Sequence, residues 1–264
     1  MVNRQMADDH STRKPFFDYY AAQSQQQSTI RRFSAYRDTI LRVMGARGSP
    51  LEVAEFGCGA GTQSLLWAEL GHSVHGLDVS RGLLELARIR AAGASYQIDF
   101  RVASATDVPW EDGSMDVCLA VELLEHVPNW PRCLDELTRV LRSRGVLFLT
   151  TTNKLCPKQQ EFDLPLYSWY PRPLKRYYER LAVTTRPELV QHATHPAVNW
   201  FTYRSLRHEL RQRGCECLDR FDLMDPNAQG LPKRMALRAL RAVPALRTLG
   251  HFVLSSTWIL AIKQ

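Results

Sequence analysis

Between residues 51 and 151 the chain alternates short apolar runs with longer segments whose apolar positions recur at helical spacing. Leu51–Phe56, Ser73–Leu77, Ile98–Ala103, Met115–Val121 and Gly145–Thr151 have the length and composition of strands. Thr62–Leu70, Arg81–Ala92 and Pro131–Leu141 read as helices, the second capped by Ser80. Strands joined through helices pair in parallel, because a hairpin cannot connect parallel neighbours. Runs that are almost wholly apolar fit strands covered on both faces. A helix at Tyr203–Arg213 and strands at Cys215–Leu223 and Phe252–Ile262 bring the strand count to seven. The predicted class is α/β, a doubly wound, mostly parallel seven-stranded sheet.

Two stretches depart from this rhythm. Residues 152–200 hold many prolines and aromatics and no clean strand. They are expected to form an insertion after strand five, lying as a lid over the acceptor side of the sheet. Residues 226–250 include a basic helix interrupted by Pro244. Residues 1–27 are polar and Gln/Ser-rich and are expected to be mobile, with Phe16-Phe17 and Tyr19-Tyr20 as the one patch able to dock. One domain is then expected over 28–264. It opens with a helix whose apolar face carries Ile30, Phe33, Tyr36 and Ile40.

Hydrophobic residues make up 45% and charged residues 23%, so a core can form without metals or disulfides. The six cysteines form no CxxC pair, which excludes a zinc ribbon or a disulfide framework and predicts reduced thiols. The first residues lack the apolar core of a secretory signal, and no apolar run approaches the roughly 18 residues of a span. The expected location is cytoplasmic, with peripheral contact at the inner face of the membrane left open. The net charge of +7 admits nucleic acid, an anionic membrane or an anionic substrate, and equally a merely Arg-rich surface.

The chemistry concentrates where the first strand ends. Glu55-Phe-Gly57-Cys-Gly59-Ala-Gly61 lies between a strand and a helix, where glycines allow tight turns and close backbone approach to a ligand. Asp78, at the tip of the second strand, is placed to accept hydrogen bonds from two ribose hydroxyls. Glu55, just before the first glycine, would repel a pyrophosphate but suit a ligand with an amine and a sulfonium. That favours S-adenosylmethionine over a nicotinamide dinucleotide.

Glu55–Thr62 and Gly76-Leu-Asp-Val-Ser80 resemble motifs I and II of the class I S-adenosylmethionine-dependent methyltransferases. Asp112–Leu119 and Leu141–Leu149 resemble that family's fourth and fifth strands with their approaches. The resemblance covers residues 28–152 and 200–264. It implies a Rossmann-like fold and a cofactor pocket lined by Glu55, Gly57, Gly59, Gly61 and Asp78. Similar proteins often carry an acid after strand three that meets the adenine; here Ser104 holds that position. The Ser104 hydroxyl and the Ala105 backbone are the expected adenine contacts.

Glu122-Leu-Leu-Glu125-His126 follows the fourth strand. If helical, it would gather both carboxylates and the imidazole on one face. His126 would then be a general base for an acceptor hydroxyl, with Glu125 beside it. Alternatively Glu122, Glu125 and His126 would hold a divalent cation, Mg2+ or Zn2+, that acidifies the hydroxyl. The spacing resembles the ExxEH of ubiquinone-pathway O-methyltransferases and small-RNA 2′-O-methyltransferases, in which these positions ligate metal. A third reading makes all three residues structural.

Ser168–Arg180 mixes aromatics with cations, and Arg234, Arg238 and Arg241 recur beside Leu237 and Leu240. Such segments suit an anionic membrane surface, although solvated charged faces are common. Tyr167, His192, His195 and Trp200 are candidates to line the acceptor pocket. The expected function is O-methylation of a small or lipid-linked acceptor. N-methylation of a small metabolite, RNA methylation and a non-catalytic cofactor-binding scaffold are the alternatives. Nucleic acid is not the expected partner, because no appended RNA-binding motif accompanies the basic charge. The oligomeric state is not encoded in any pattern of the chain.

Overall fold

In the computed structural model, the described residues are 14–45, 50–158, 162–190, 197–226 and 230–264. The sheet contains β1 (Glu52–Phe56), β2 (Ser73–Asp78), β3 (Asp99–Val102), β4 (Met115–Val121), β5 (Leu141–Thr152), β6 (Cys215–Asp219) and β7 (Ser256–Lys263). Their order is β3-β2-β1-β4-β5-β7-β6. The first five are mutually parallel, and β7 enters antiparallel between β5 and β6. The expected seven-stranded, doubly wound class is the observed one.

Helices cover both faces. On one face α2 (Gln27–Met44) and α3 (Thr62–Ala68) bring Tyr36, Ile40 and Trp67 against Val53, Leu119 and Phe148. The Tyr36 ring sits 5.0 Å from Phe148 and 4.8 Å from Trp258, so the predicted apolar face of this helix is buried on the sheet. On the other face α5 (Trp130–Val140) and α7 (Tyr203–Gln212) bury Leu134, Leu137, Leu206 and Leu210. Each such leucine contributes roughly 2 kcal/mol of burial. The helix α4 (Arg81–Gly93) starts at Ser80 as expected, whose hydroxyl accepts from the Leu83 amide. Thr202 and Ser205 form a reciprocal cap that starts α7 at Tyr203.

The stretch of the N-terminal segment that carries the aromatic patch is the helix α1 (Lys14–Gln23); residues 1–13 lie outside the described set. Three expectations are corrected. The run predicted as a strand through Leu223 stops at Asp219, whose carboxylate accepts from the Phe221 and Asp222 amides and turns the chain into α8 (Arg220–Leu223). The basic helix is two, α9 (Leu231–Ala242) and α10 (Pro244–Phe252). Pro244 disfavours helical geometry at Val243, which is extended, and then begins the next helix. Because α10 runs to Phe252, the last strand begins at Ser256 rather than Phe252.

The insertion after β5 is helical. It contains α6 (Arg172–Thr184) and a small core in which Phe162 stacks on Tyr167 at 3.9 Å. Its base is closed where the Lys154 amide donates to the Phe201 carbonyl, 2.7 Å. Among the described residues no helix is long and apolar enough to cross a membrane.

Candidate active site

From β1 the chain runs outward through β2 and β3, then returns to the other side of β1 with β4 and β5. The carboxyl ends of β1 and β4 therefore flank the point where strand order reverses, where open α/β sheets bind ligands. The glycine loop and the 122–126 segment lie at these ends, and Asp78 is at the carboxyl end of the neighbouring β2.

The loop is held mainly by β2. The Gly57 and Cys58 amides both donate to the Leu77 carbonyl, at 2.8 and 3.0 Å. The Gly59 amide donates to Asp78 Oδ2 at 2.9 Å, and the Ser80 amide to Asp78 Oδ1 at 2.8 Å. All three loop glycines adopt left-handed φ, which side chains rarely tolerate. Their surroundings divide their roles. A Cβ on Gly57 would lie 2.9 Å from Leu123, and one on Gly61 would lie 2.8 Å from Ala87. These two let the 122–126 segment and α4 pack against the loop. A Cβ on Gly59 would meet only the Tyr20 ring, at 3.6 Å. Gly59 is therefore the loop glycine with an open side.

Glu55 is 6% exposed and accepts a hydrogen bond from the Ser64 hydroxyl at the start of α3. Burial pushes its carboxyl up to about 8; the Ser64 hydrogen bond opposes this and nearby Asp78 adds to it. Among the described residues, the groups that shift it are Ser64 and Asp78, and neither is a cation. A positively charged ligand would supply the missing counter-charge. The donor set therefore fits a nucleoside bearing hydroxyls at Asp78 and a cationic amino-acid end toward Glu55. A dinucleotide's pyrophosphate has no such match.

Beyond β3, the Ala103 amide donates to the Asp78 carbonyl at 3.2 Å, which sets the following turn beside the loop. Ser104 is there, but its hydroxyl is engaged locally with Thr106 Oγ1 (2.8 Å) and the Thr106 amide (3.2 Å). Ala105 is buried.

Residues 122–126 do not form the expected helical face. Glu122 takes a left-handed φ of 53° and pairs with Arg32 of α2 at 3.0 Å. Glu125 is 1% exposed within a 3-10 turn at Leu124–His126, and its Oε2 accepts from the Thr151 hydroxyl at 2.7 Å. The two carboxylates thus turn to different partners, one toward α2 and one into β5. Among the described residues no group of three or more His, Cys, Asp or Glu side chains is placed to hold a metal ion. The proposed Glu122–Glu125–His126 cation site does not fit this arrangement. His126, half-buried, stays at the carboxyl end of β4.

Several residues that shape the site escaped sequence reasoning. Asn199 donates through Nδ2 to the carbonyls of Leu124 and Val127 at 3.0 and 2.8 Å, clamping the turn that carries His126. The Val198 and Asn199 amides donate to the Glu125 carbonyl. Arg90 reaches from α4 to Ala60 O, Ala21 O and Ser24 Oγ, and Thr62 Oγ1 donates to Ser24 O, so the end of α1 is pinned to the glycine loop. These are single polar residues joining distant segments, and they leave no local pattern. Of the pocket candidates, Tyr167 is fully buried within the insertion's own core, with its hydroxyl toward Glu179. Trp200 sits beneath Lys175, whose Nζ is 5.1 Å from its ring. His192 and His195 lie outside the described residues.

Comparison with known proteins agrees with this geometry. Residues 54–149 match the model of a methyltransferase domain. A ubiquinone biosynthesis O-methyltransferase of Xanthomonas oryzae pv. oryzae (strain PXO99A) is 37% identical over 120 residues, covering 45% of this chain and 48% of the relative. The enzyme of the same name from Xanthomonas campestris pv. campestris (strain B100) is 37% identical over 103 residues, covering 39% and 43%. The match thus spans less than half the length of these curated relatives. Among solved structures, the YcgJ protein from Bacillus subtilis superposes with a TM-score of 0.55 at 15% identity, covering 88% of this chain and 99% of that one. A methyltransferase from Aquifex aeolicus gives 0.56 at 11% identity, covering 92% and 97%. Residues 54–149 are thus similar to a methyltransferase domain, and the sheet that contains them has the Rossmann-like fold of solved methyltransferase structures.

Proposed function

We propose that this chain transfers a methyl group from S-adenosylmethionine to a hydroxyl oxygen of a small or lipid-linked acceptor. The observation that carries the reading is the loop itself: Gly59 open on one side, clamped to Asp78 on the other, beside the buried Glu55 carboxylate, which among the described residues meets Ser64 and Asp78 rather than a cation. The names of the curated relatives support oxygen as the atom methylated and a prenylated ring as an acceptor class.

When bound, S-adenosylmethionine supplies a methyl carried on a positively charged sulfur, open to displacement by an oxygen nucleophile. The chain's own part is mainly to position the reactants. Asp78 spends one lone pair on each of two amides and keeps others for ribose hydroxyls. Glu55 offers its charge to the cofactor's amino end. His126, on a turn made rigid by Asn199, accepts the hydroxyl proton as the oxygen attacks. Glu125 positions that turn through Thr151 and does not meet the acceptor.

Incubation with methyl-labelled S-adenosylmethionine and a panel of prenylated catechols, short catechols and primary amines tests the proposal. Label recovered as an aryl methyl ether supports it. Label recovered only on nitrogen, or on no acceptor while the cofactor binds, overturns oxygen transfer.

A further inference from the structure

From Pro226 to Gln264 the sequence contains no aspartate or glutamate. Within that span lie α9 and α10, which hold Lys233, Arg234, Arg238, Arg241 and Arg247. Two of these arginines are used inside the fold. Arg241 donates to the carbonyls of Phe221, Asp222 and Met224, and Arg247 pairs with Asp219 and Asp222. His251 takes a further contact with Asp219, 3.0 Å. The acids of the element packed against the hairpin are therefore already paired. Lys233 and Arg238 remain exposed.

The same two helices expose large aliphatic side chains. Leu231 is 71% exposed, Met235 62%, Leu249 62% and Val253 79%. Leu231, Met235 and Arg238 share one face of α9, while Leu237 faces inward and is buried. Leu246, Leu249 and Val253 follow one another at helical spacing along α10 and its end. The hairpin also lies at the working edge of the sheet. Asn153, directly after β5, donates to the carbonyls of His251 and Leu254 at 2.6 and 2.7 Å. The carbonyl of the next residue, Lys154, accepts from the indole of the half-exposed Trp169.

We infer that the α9–α10 hairpin is a docking surface for an anionic phospholipid bilayer. Aliphatic side chains enter the interface while Lys233 and Arg238 meet lipid phosphates. Charge decides against a second copy of the chain, because a two-fold contact would press two acid-free cationic faces together. Side-chain type decides against single-stranded nucleic acid, since the exposed groups are mostly aliphatic and offer few rings for bases to stack on. This surface is independent of the methyl-transfer reading, and a protein without that activity would still carry it.

The test is co-sedimentation of the full chain with vesicles. One set contains three parts phosphatidylcholine to one part phosphatidylglycerol; the other is phosphatidylcholine alone. Binding is expected on the mixed vesicles, weakening as salt screens the charge. The double variant Lys233→Gln, Arg238→Gln should partition about thirtyfold less, from about 1 kcal/mol per cation. The double variant Leu249→Ser, Val253→Ser should lose at least about tenfold at low salt. All four positions are exposed, and unchanged thermal melts verify that the variants fold. Equal binding to both vesicle types, or undiminished binding by the charge variant, overturns the inference. So does an absence of vesicle binding, whether the chain then forms a dimer that the Leu249, Val253 variant dissolves or instead retains RNA.

Discussion

The Oδ2 atom of Asp78 lies 2.9 Å from the amide nitrogen of Gly59, so the acid that ends β2 fixes the loop that ends β1. Its Oδ1 simultaneously accepts from the Ser80 amide, at the start of α4. One carboxylate thus sets both the loop and the helix start. As the proposed ribose acceptor, Asp78 should act on cofactor binding twice when substituted, through the lost acceptor and through a loosened loop.

The division of labour among the glycines gives a stability-versus-binding contrast. Gly61→Ala places a methyl 2.8 Å from Ala87 at a left-handed φ and should destabilise the fold by about 2–4 kcal/mol. Gly59→Ala meets open space apart from Tyr20 and should cost only about 1–2 kcal/mol, yet abolish cofactor binding. Urea melts and S-adenosylhomocysteine titrations of both variants check this. Similar stability losses with binding retained by Gly59→Ala would contradict the assignment.

Glu55 should make the ligand-free protein less stable as pH rises. Its ordinary value is 4.5 and burial raises the folded value to about 8. Below about 4.5 both states are protonated and the stabilisation is fully present; between these values only the folded state holds the proton. Stability therefore falls as pH rises from about 4.5 to about 8, by about 5 kcal/mol at most, relative to Glu55→Gln. A cationic ligand lowers the folded value, so cofactor binding near neutral pH should release a proton. Calorimetry in buffers of different ionisation enthalpy reads that release; an enthalpy independent of buffer speaks against Glu55 as the counter-charge.

His126 and Glu125 should separate by phenotype. His126→Ala removes the base and should lower kcat at least about 100-fold while leaving cofactor affinity within about twofold. Glu125→Ala leaves the Thr151 hydroxyl and a buried pocket unsatisfied, and should destabilise by about 2–3 kcal/mol. Turnover that survives in His126→Ala rejects it as the base.

Turnover should be unchanged in excess EDTA, because Glu122 and Glu125 turn to Arg32 and Thr151 rather than to each other. Loss of activity that Mg2+ or Zn2+ restores would show that the 122–126 turn rearranges to bind metal.

The sheet was legible in the sequence because its signal is local: Met115–Val121 and Gly145–Thr151 are nearly all apolar, and Ser80 announces α4. The glycine turn between β1 and α3 was legible for the same reason. The ExxEH segment misled because spacing alone cannot reveal that Glu122 has a left-handed backbone, which breaks the helical face before it forms. The end of the sixth strand was misread because a buried Asp219 cap, joined to Arg247 and His251 far along the chain, overrides an apolar run. The docking of α1 depends on Arg90, sixty-six residues from its partner Ser24, and no local pattern records it.

Binding of S-adenosylmethionine by the Asp78-clamped glycine loop is read by isothermal titration of S-adenosylhomocysteine into the parent protein and into Asp78→Ala. Saturable binding at a single site per chain is expected in the parent, weakened about 100-fold or more in Asp78→Ala, since two charge-assisted hydrogen bonds are lost. No binding by the folded parent, or equal affinity in both proteins, would contradict it.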